Sequence, residues 1–535
     1  MGSSGLRFVL AFRASRYGAI IKMRQIHQIF FNAITSYGAT LCRSIIAFSL
    51  VPYVVTRIGA ESYGVLLLAI SAMGMVVLLG MGLSKAVTKN VSGAVAKSEV
   101  GLVNIIYSNS LVWFIAIGLI GALSAVLIGQ HFSDLFPEVS PALAREGRLA
   151  MFIIAGAILV CLVGDAWKGL LAGVQRYDII NAAGCLQSGV RAICIVVYFN
   201  LANPTLLSAV VIFSLSYVLE RICFAAACYK VIPELRASSA LVSRLGMRMI
   251  AGFATFVVIG TVANLLISHL VKFLIGRSFG LTELTNYGIA LTLMVFANAM
   301  VRSFANVLMP VASKYHAVGD GGTVGKLFIH GTKYSAVVIL SCAGITAPFL
   351  PALYRLWMGP DFVALCGITL VMFFGQAVAS SALCANQILT GMGKVKSICV
   401  ISLCYVAFSL VAVWLHIILW QDANLFSTVV IVAIGRIIGN IVILGLGIEM
   451  TGIDWRRLLA QAVVKPLVIC SIVAVLGWWI VRWMPIESWV ILGSWVLAME
   501  VIFLILIGVW CLDREERKLA MQLLGRVRMR LNLRK

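Results

Sequence analysis

Six positively charged side chains fall deep inside apolar stretches of this chain: Arg43, Arg191, Arg221, Lys272, Arg302 and Arg436. Far fewer carboxylates accompany them. Glu220 and Glu500 lie well inside apolar runs, and Asp165 and Glu449 lie near run ends. A cation in hydrocarbon costs about 2.5–3.5 kcal/mol unless it meets water, a partner or a ligand. Surplus positive charge therefore points to a pore or cavity that receives something anionic. The neighbouring polar residues are spaced to line one. Asn264, Ser268 and Lys272 recur at steps of four, as do Asn298, Arg302 and Asn306. Four residues of α-helix advance about 400°, so each trio forms one stripe that drifts by about 80°. Asn32, Ser36, Thr40 and Arg43 share a similar arc, and Ser188 lies one turn from Arg191. An arginine fork holds two phosphate oxygens at once, whereas lysine is a mobile point charge. Arg43, Arg191, Lys272, Arg302 and Arg436 thus suit a phosphate or pyrophosphate, with the Asn, Ser and Thr residues as polar lining.

Plainer readings stand beside these. Lys272 lies close to the end of its run, where long cationic side chains snorkel to the interface. Gly435 and Gly439 beside Arg436 could mark close helix packing, and Asn298 and Asn306 could be interhelical hydrogen-bond glue. Glu220 with Arg221 reads as local structure or as a proton-linked pair, which makes Glu220 the candidate for ion coupling. His269, alone in its run, is more often a packed polar residue than a relay. The chain carries no phosphate-cradling GxxxxGK[ST], no HExxH and no paired-cysteine motif, so no nucleotide, metal or other cofactor is expected. An enzyme is not expected either. The largest loop assigned to the outside, 130–147, offers only Asp134, Glu138 and Glu146.

The elements that must position these residues are membrane helices. The sequence is 61% hydrophobic and 12% charged, which places it with polytopic membrane proteins. Its 42 Lys and Arg against 20 Asp and Glu are not gathered into a basic domain with interleaved aromatics, which argues against nucleic acid. Apolar runs of spanning length number about fourteen, at 28–55, 63–83, 104–130, 148–171, 178–200, 205–229, 249–276, 286–311, 333–357, 362–389, 397–420, 424–448, 463–483 and 488–511. With a cytoplasmic amino terminus, thirty Lys or Arg fall in or at the edges of inside segments and six outside, which sets both termini in the cytoplasm. Thirteen cysteines lie in or at the ends of apolar runs and read as small apolar residues.

An internal repeat organises the spans. Inside segments Ser84–Asn104 and Ser313–Lys333 both mix lysines with small and apolar residues, as a helix lying in the interface would. LLAGVQR at 170–176 is echoed by ILTGMGK at 388–394, an offset of 218 residues. The expected architecture is all-α, with two six-helix lobes related by a pseudo-two-fold repeat plus two C-terminal helices. Its parts are a basic N-terminal segment 1–27, an N-lobe 28–229, a cytoplasmic linker 230–248, a C-lobe 249–448, spans 13 and 14 within 463–511, and a basic amphipathic tail 512–535. That tail is expected on the anionic inner leaflet, making membrane lipids a partner.

Three stretches resemble one family. IGAESYGVLLLAISAMGMVVLLGMGLS at 58–84 looks like the early signature of bacterial polysaccharide flippases, in which a Gly-x-x-x-Tyr-Gly turn precedes the second helix. GVQRYDIIN at 173–181 is similar to the inside turn after their fourth helix, and 286–310, with NYGIA and a closing LMP, to their eighth. The chain thus resembles Wzx-like O-antigen and exopolysaccharide flippases of the multidrug/oligosaccharidyl-lipid/polysaccharide (MOP) exporter superfamily. The resemblance implies two lobes around a cationic central cavity, alternating access, and an undecaprenyl-pyrophosphate-linked glycan as cargo in the bacterial inner membrane. It also implies a polysaccharide polymerase and a chain-length regulator as candidate partners. Arg43 and Arg302 match the buried basic residues such families place in that cavity. Fourteen helices instead of twelve also admits a lipid II flippase. A cation-coupled multidrug exporter should carry acidic residues in its first lobe's spans, and the first span here has none.

Overall fold

The computed structural model is all-helical, with no strand among its described residues, which are 35–97, 99–251, 269–513, 516 and 517. Asn32, Asn264 and Ser268 lie outside them, as does the side chain of Asn306. The long helices are α1 (Thr35–Ile58), α2 (Ala60–Ala96), α3 (Val100–Gln130), α4 (Pro141–Gly173), α5 (Tyr177–Leu201), α6 (Leu206–Val231), α8 (Gly280–Ala317), α9 (Gly321–Trp357), α10 (Cys366–Gly391), α11 (Val395–Leu419), α12 (Leu425–Thr451), α13 (Lys465–Trp483) and α14 (Trp489–Leu506). A shorter α7 (Val271–Ser278) precedes α8. Among the described residues, twelve helical stretches are long and apolar enough to cross a membrane. The span expected at 249–276 falls largely outside the described residues, and the one expected at 286–311 lies within α8.

Two compact units emerge. One comprises Met1–Leu50, Ala72–Phe132 and Arg145–Val258; the other comprises Val51–Ser71, Ser133–Ala144 and Ile259–Lys535. In the second unit α10 is the hub, packing on α8, α9 and α12, while α9 also receives α13 and α14. The start of α2 joins that unit for a steric reason. Gly64 has no side chain, so α2 can approach the Leu281 backbone, and Gly288 accommodates Leu67 in return. Thr285 Oγ1 donates to the Ala60 carbonyl across the same contact at 2.6 Å.

The repeat is visible at atomic detail. Gly173 ends α4 against Val91 of α2, and Gly391 ends α10 against Met309 of α8; both residues of the second pair lie 218 positions after those of the first. The turns that follow share one hydrogen-bond pattern. Gln175 N donates to Ala172 O at 3.0 Å and Arg176 N to Leu171 O at 2.9 Å, matched by Gly393 N to Thr390 O at 3.0 Å and Lys394 N to Leu389 O at 2.9 Å. The shared turn is left-handed at its third residue, with φ +80° at Gly393 and +60° at Gln175. Glycine takes that conformation freely; glutamine does so at a cost of roughly 1 kcal/mol. The amino termini of α6 and α12 also match. Thr205 with Ser208, and Asn424 with Ser427, each form a capping box.

One expectation is corrected. Ser84–Asn104 and Ser313–Lys333 do not form separate interfacial helices: α2 runs unbroken to Ala96 and α8 to Ala317. Hydropathy falls at Ser84, but the backbone ladder continues because the inward positions Ala86, Val87, Val91 and Ala94 are buried. Val87 packs over Gly169 and Val91 over Gly173. The stretch 230–248, expected as a cytoplasmic linker, belongs to the first unit. It is stapled to one stripe of α3: Asn104 accepts from Arg236 N at 3.0 Å, Ser108 from Ser238 N at 3.1 Å, and Asn109 from Ser243 N at 3.0 Å. Asn109 also donates to Leu241 O at 2.9 Å, and Trp113 to Met247 O at 3.3 Å. Linker backbone groups are thereby paired with side chains of α3.

The start of the C-terminal tail is tied down as well. Glu516 accepts from Lys333 Nζ and from Tyr334 OH, each at 2.6 Å, and from Asp513 N at 2.8 Å, with His330 Nδ1 at 2.9 Å. Burial raises the Glu516 pKa, but these hydrogen bonds outweigh it and hold the carboxyl at about 2.

Two measurements follow. Gln175→Gly should stabilise the protein by up to about 1 kcal/mol in chemical denaturation, because the left-handed turn no longer carries a side chain. For Glu516 the folded pKa is depressed, so its contribution is present above about pH 4.3 and is lost as pH falls toward 2. The Tm gap between wild type and Glu516→Gln should therefore close across that window, and at neutral pH trypsin should cut after Arg517 faster in the variant.

Candidate functional site

The five expected cavity cations separate into two groups. Arg43 and Arg191 belong to the first unit, whereas Lys272, Arg302 and Arg436 come together in the second.

In the first unit the centre of charge is Arg221, and here the structure corrects the expected surplus. Its Nη1 pairs with Glu220 Oε2 at 2.8 Å, its Nη2 with Asp165 Oδ1 at 3.2 Å, and its Nε donates to the Cys161 carbonyl at 3.2 Å. Gly164 on α4 leaves room for the arginine stem. Asp165, expected near a helix end, is 1% exposed and pairs with Arg221 through Oδ1. Arg43 donates from Nε to its own helix at Ala39 O, 3.2 Å away, while its Nη1 and Glu220 Oε1 both flank Gly184 of α5. Glu220 thus lies among two arginines. Ser36 accepts from Asn181 Nδ2 at 2.8 Å, and the Thr40 hydroxyl turns back to Ser36 O at 2.8 Å instead of standing free. Arg191 is buried with its guanidinium carbon 4.6 Å over the Phe213 ring, and its Nε has no hydrogen-bond partner among the described residues. Ser188, one turn away, donates to Gln187.

In the second unit Lys272, Asn298, Arg302 and Arg436 line one cavity of about 240 Å³. Tyr287, Leu291, Met294, Asn298 and Arg302 follow one face of α8, and Val429, Val432, Ala433 and Arg436 follow one face of α12. Both anticipated readings of the α12 glycines hold together. Gly435 and Gly439 pack against Ser409 and Tyr405 of α11, which leaves Arg436 free to face the cavity. None of the lining residues is acidic. Most of the remaining lining is apolar: Leu291, Met294, Val295, Met372 and valines of α12. Three cations that repel one another across so small a space hold a strongly positive potential, which an anion with several oxygens would relieve.

Stripe reasoning missed two contributors. Gln376 Oε1 accepts from Arg436 Nη1 at 3.3 Å, and Gln376 Nε2 donates to Ser380 Oγ at 3.0 Å. The two lie one turn apart in the apolar α10, which is the signal that was available. Tyr287, in the NYGIA stretch, lines the cavity as well.

This is the fold of a polytopic membrane protein with a cationic pocket. An inward-facing multidrug-resistance MATE transporter of the MOP superfamily aligns with a TM-score of 0.66 at 12% identity, over 78% of this chain and 94% of its own. An outward-facing MATE transporter gives 0.59 at 12%, covering 81% and 96%. A MOP transporter from Pyrococcus furiosus, whose reversed binding-pocket polarity suggests a different function, gives 0.59 at 11%, covering 79% and 95%. At these identities the likeness is one of fold. A search of curated protein sequences finds no match. The family model described as polysaccharide biosynthesis protein matches residues 30–316, more than half the chain. The chain belongs to that family, as a multi-pass membrane protein.

The buried network makes a stability prediction. Asp165→Ala leaves Arg221 with one carboxylate in place of two, and breaking a buried pair costs roughly 3–5 kcal/mol. The remaining Glu220 contact should hold the loss near the lower figure, read as a lowered denaturation midpoint in detergent.

Proposed function

We propose that the protein is a flippase that moves a polyprenyl-pyrophosphate-linked oligosaccharide across the bacterial cytoplasmic membrane by alternating access, for surface polysaccharide synthesis. The observation that carries this reading is the convergence of Lys272, Arg302 and Arg436 on one cavity with no acidic lining, in a member of the polysaccharide biosynthesis family. The three cations receive the pyrophosphate. The apolar lining faces the part of the lipid next to it, the sugars cross in water, and the isoprenoid tail stays in hydrocarbon. Arg436 and Arg302 can each grip two oxygens, whereas Lys272 follows the charge as it moves.

A cation-coupled drug exporter, the competing reading in the same fold, needs negative charge where its cargo binds. The charged side chains of this cavity are all positive. In the first unit, Asp165 and Glu220 are engaged by Arg221. Glu220, beside both Arg43 and Arg221, is the group whose protonation would link transport to an ion gradient.

The test is flipping of a fluorescent or labelled polyprenyl-pyrophosphate oligosaccharide in vesicles containing purified protein. Arg302→Ala and Arg436→Ala should each lower the rate at least tenfold and Lys272→Ala severalfold, with folding checked by thermal stability. Full activity in all three variants, or drug export without glycan-lipid flipping, would reject the reading.

A further inference from the structure

Arginine has five N–H donors and accepts nothing. In Arg436 one of its nitrogens, Nη1, is already spent, donating to Gln376 Oε1 at 3.3 Å with Met294 Sδ at 3.9 Å. Its Nε and Nη2 have no partner among the described residues, and Arg436 faces the cavity. The acceptor that holds Nη1 is itself held. Gln376 is 5% exposed and Ser380 fully buried, and the amide nitrogen donates to the Ser380 hydroxyl at 3.0 Å, one turn along α10. Were the amide reversed, its two N–H groups would face a guanidinium that cannot accept. Ser380 and Arg436 together therefore fix the amide so that its oxygen points at the arginine.

A carboxylate at that position would aim the guanidinium as well and bind it more tightly, but it would also cancel the charge. Buried arginines are commonly satisfied that way, as Arg221 is in the first unit. Glutamine has the same shape and carries no charge. The other charged or titratable groups nearby are Lys272 of α7, Arg302 and Tyr287 of α8, and Tyr405 of α11, none of them a carboxylate.

We propose that Gln376 is the positioning residue of the cavity: clamped by Ser380, it orients Arg436 through Nη1 without neutralising it, and keeps the Nε–Nη2 edge for two oxygens of a diphosphate. This rests on reading the cavity as the phosphate-receiving site. The relay Ser380–Gln376–Arg436 sets the strength of the site as well as its geometry, because an acid in place of the amide would cancel one of the three positive charges that attract an anion.

The experiment measures binding of inorganic pyrophosphate and of farnesyl pyrophosphate to the purified full-length protein in lipid nanodiscs, with Tm recorded for every variant. Gln376→Glu should weaken both at least tenfold. Gln376→Leu and Ser380→Ala, which loosen Arg436 but leave its charge, should weaken them about two- to fivefold. On an Arg436→Met background Gln376→Leu should cost nothing further, because its effect runs through the guanidinium. Wild-type binding by Gln376→Glu, equal losses in the Glu and Leu variants that track Tm, or a further loss on the Arg436→Met background would overturn the inference. If Gln376→Glu does not fold, the Leu and Ala variants on the two backgrounds decide it. Undiminished binding in Lys272→Ala, Arg302→Ala and Arg436→Ala would instead remove the cavity reading itself; weakened binding there with unaffected Gln376 variants would remove only the relay.

Discussion

Three positive charges share one cavity with no acid among its lining residues, and the second unit is built around keeping them so. Each cation placed at membrane depth costs a few kcal/mol, and mutual repulsion raises the total. A fold bears such a cost when something outside the chain repays it. The helices of that unit hold the charges at fixed places by close packing and by the neutral Gln376 amide. Gly375 lets Ala433 close the α10–α12 contact, and Gly435 and Gly439 let α12 lie against α11. Close packing on one face of α12 presses Arg436 out on the other.

The first unit treats its charge in the opposite way. Arg221 is enclosed by two carboxylates and a carbonyl, with all three of its nitrogens engaged. Such a network is specific and costly to disturb, because removing either acid takes away one of the two carboxylates that hold a buried guanidinium. Glu220 alone retains an ambiguous position, with Arg43 near one oxygen and Arg221 on the other.

Much of this was legible in the sequence. Apolar length marked the helices, and steps of four put Asn298 and Arg302 on one face, which is where α8 carries them. Local pattern cannot register a partner far along the chain. Asp165 and Arg221 are 56 residues apart and meet only because α4 and α6 pack together, so counting six cations against two deep carboxylates overstated the surplus. Hydropathy likewise measures where hydrocarbon ends and not where a helix does, so α2 and α8 run past their apolar segments as long as small inward residues such as Ala86 and Ala312 find a neighbour. Gln376 escaped notice because its step of four reaches only Ser380, with Met372 and Cys384 on either side; its role lies in what it faces.

The repeat shows how the two treatments of charge can arise from one backbone plan. Superposing the capping boxes of α6 and α12 sets Thr205 against Asn424, and with it Glu220 against Gly439 and Arg221 against Asn440. The carboxylate of the first unit is replaced by a glycine that serves packing against Tyr405. On the turn after α4 and α10 the match is equally close, and there Asp165 falls opposite Leu383. Both acids that neutralise Arg221 are therefore absent from the equivalent positions of the second unit, while Arg436, with no charged counterpart at Tyr217, has been added. Backbone geometry was retained and the charge balance was not. A scaffold that keeps its helix caps, turns and glycine contacts but exchanges acids for apolar residues in one half keeps its fold and acquires an anion-attracting site there, and the neutral Gln376 completes the exchange by holding the new arginine without cancelling it.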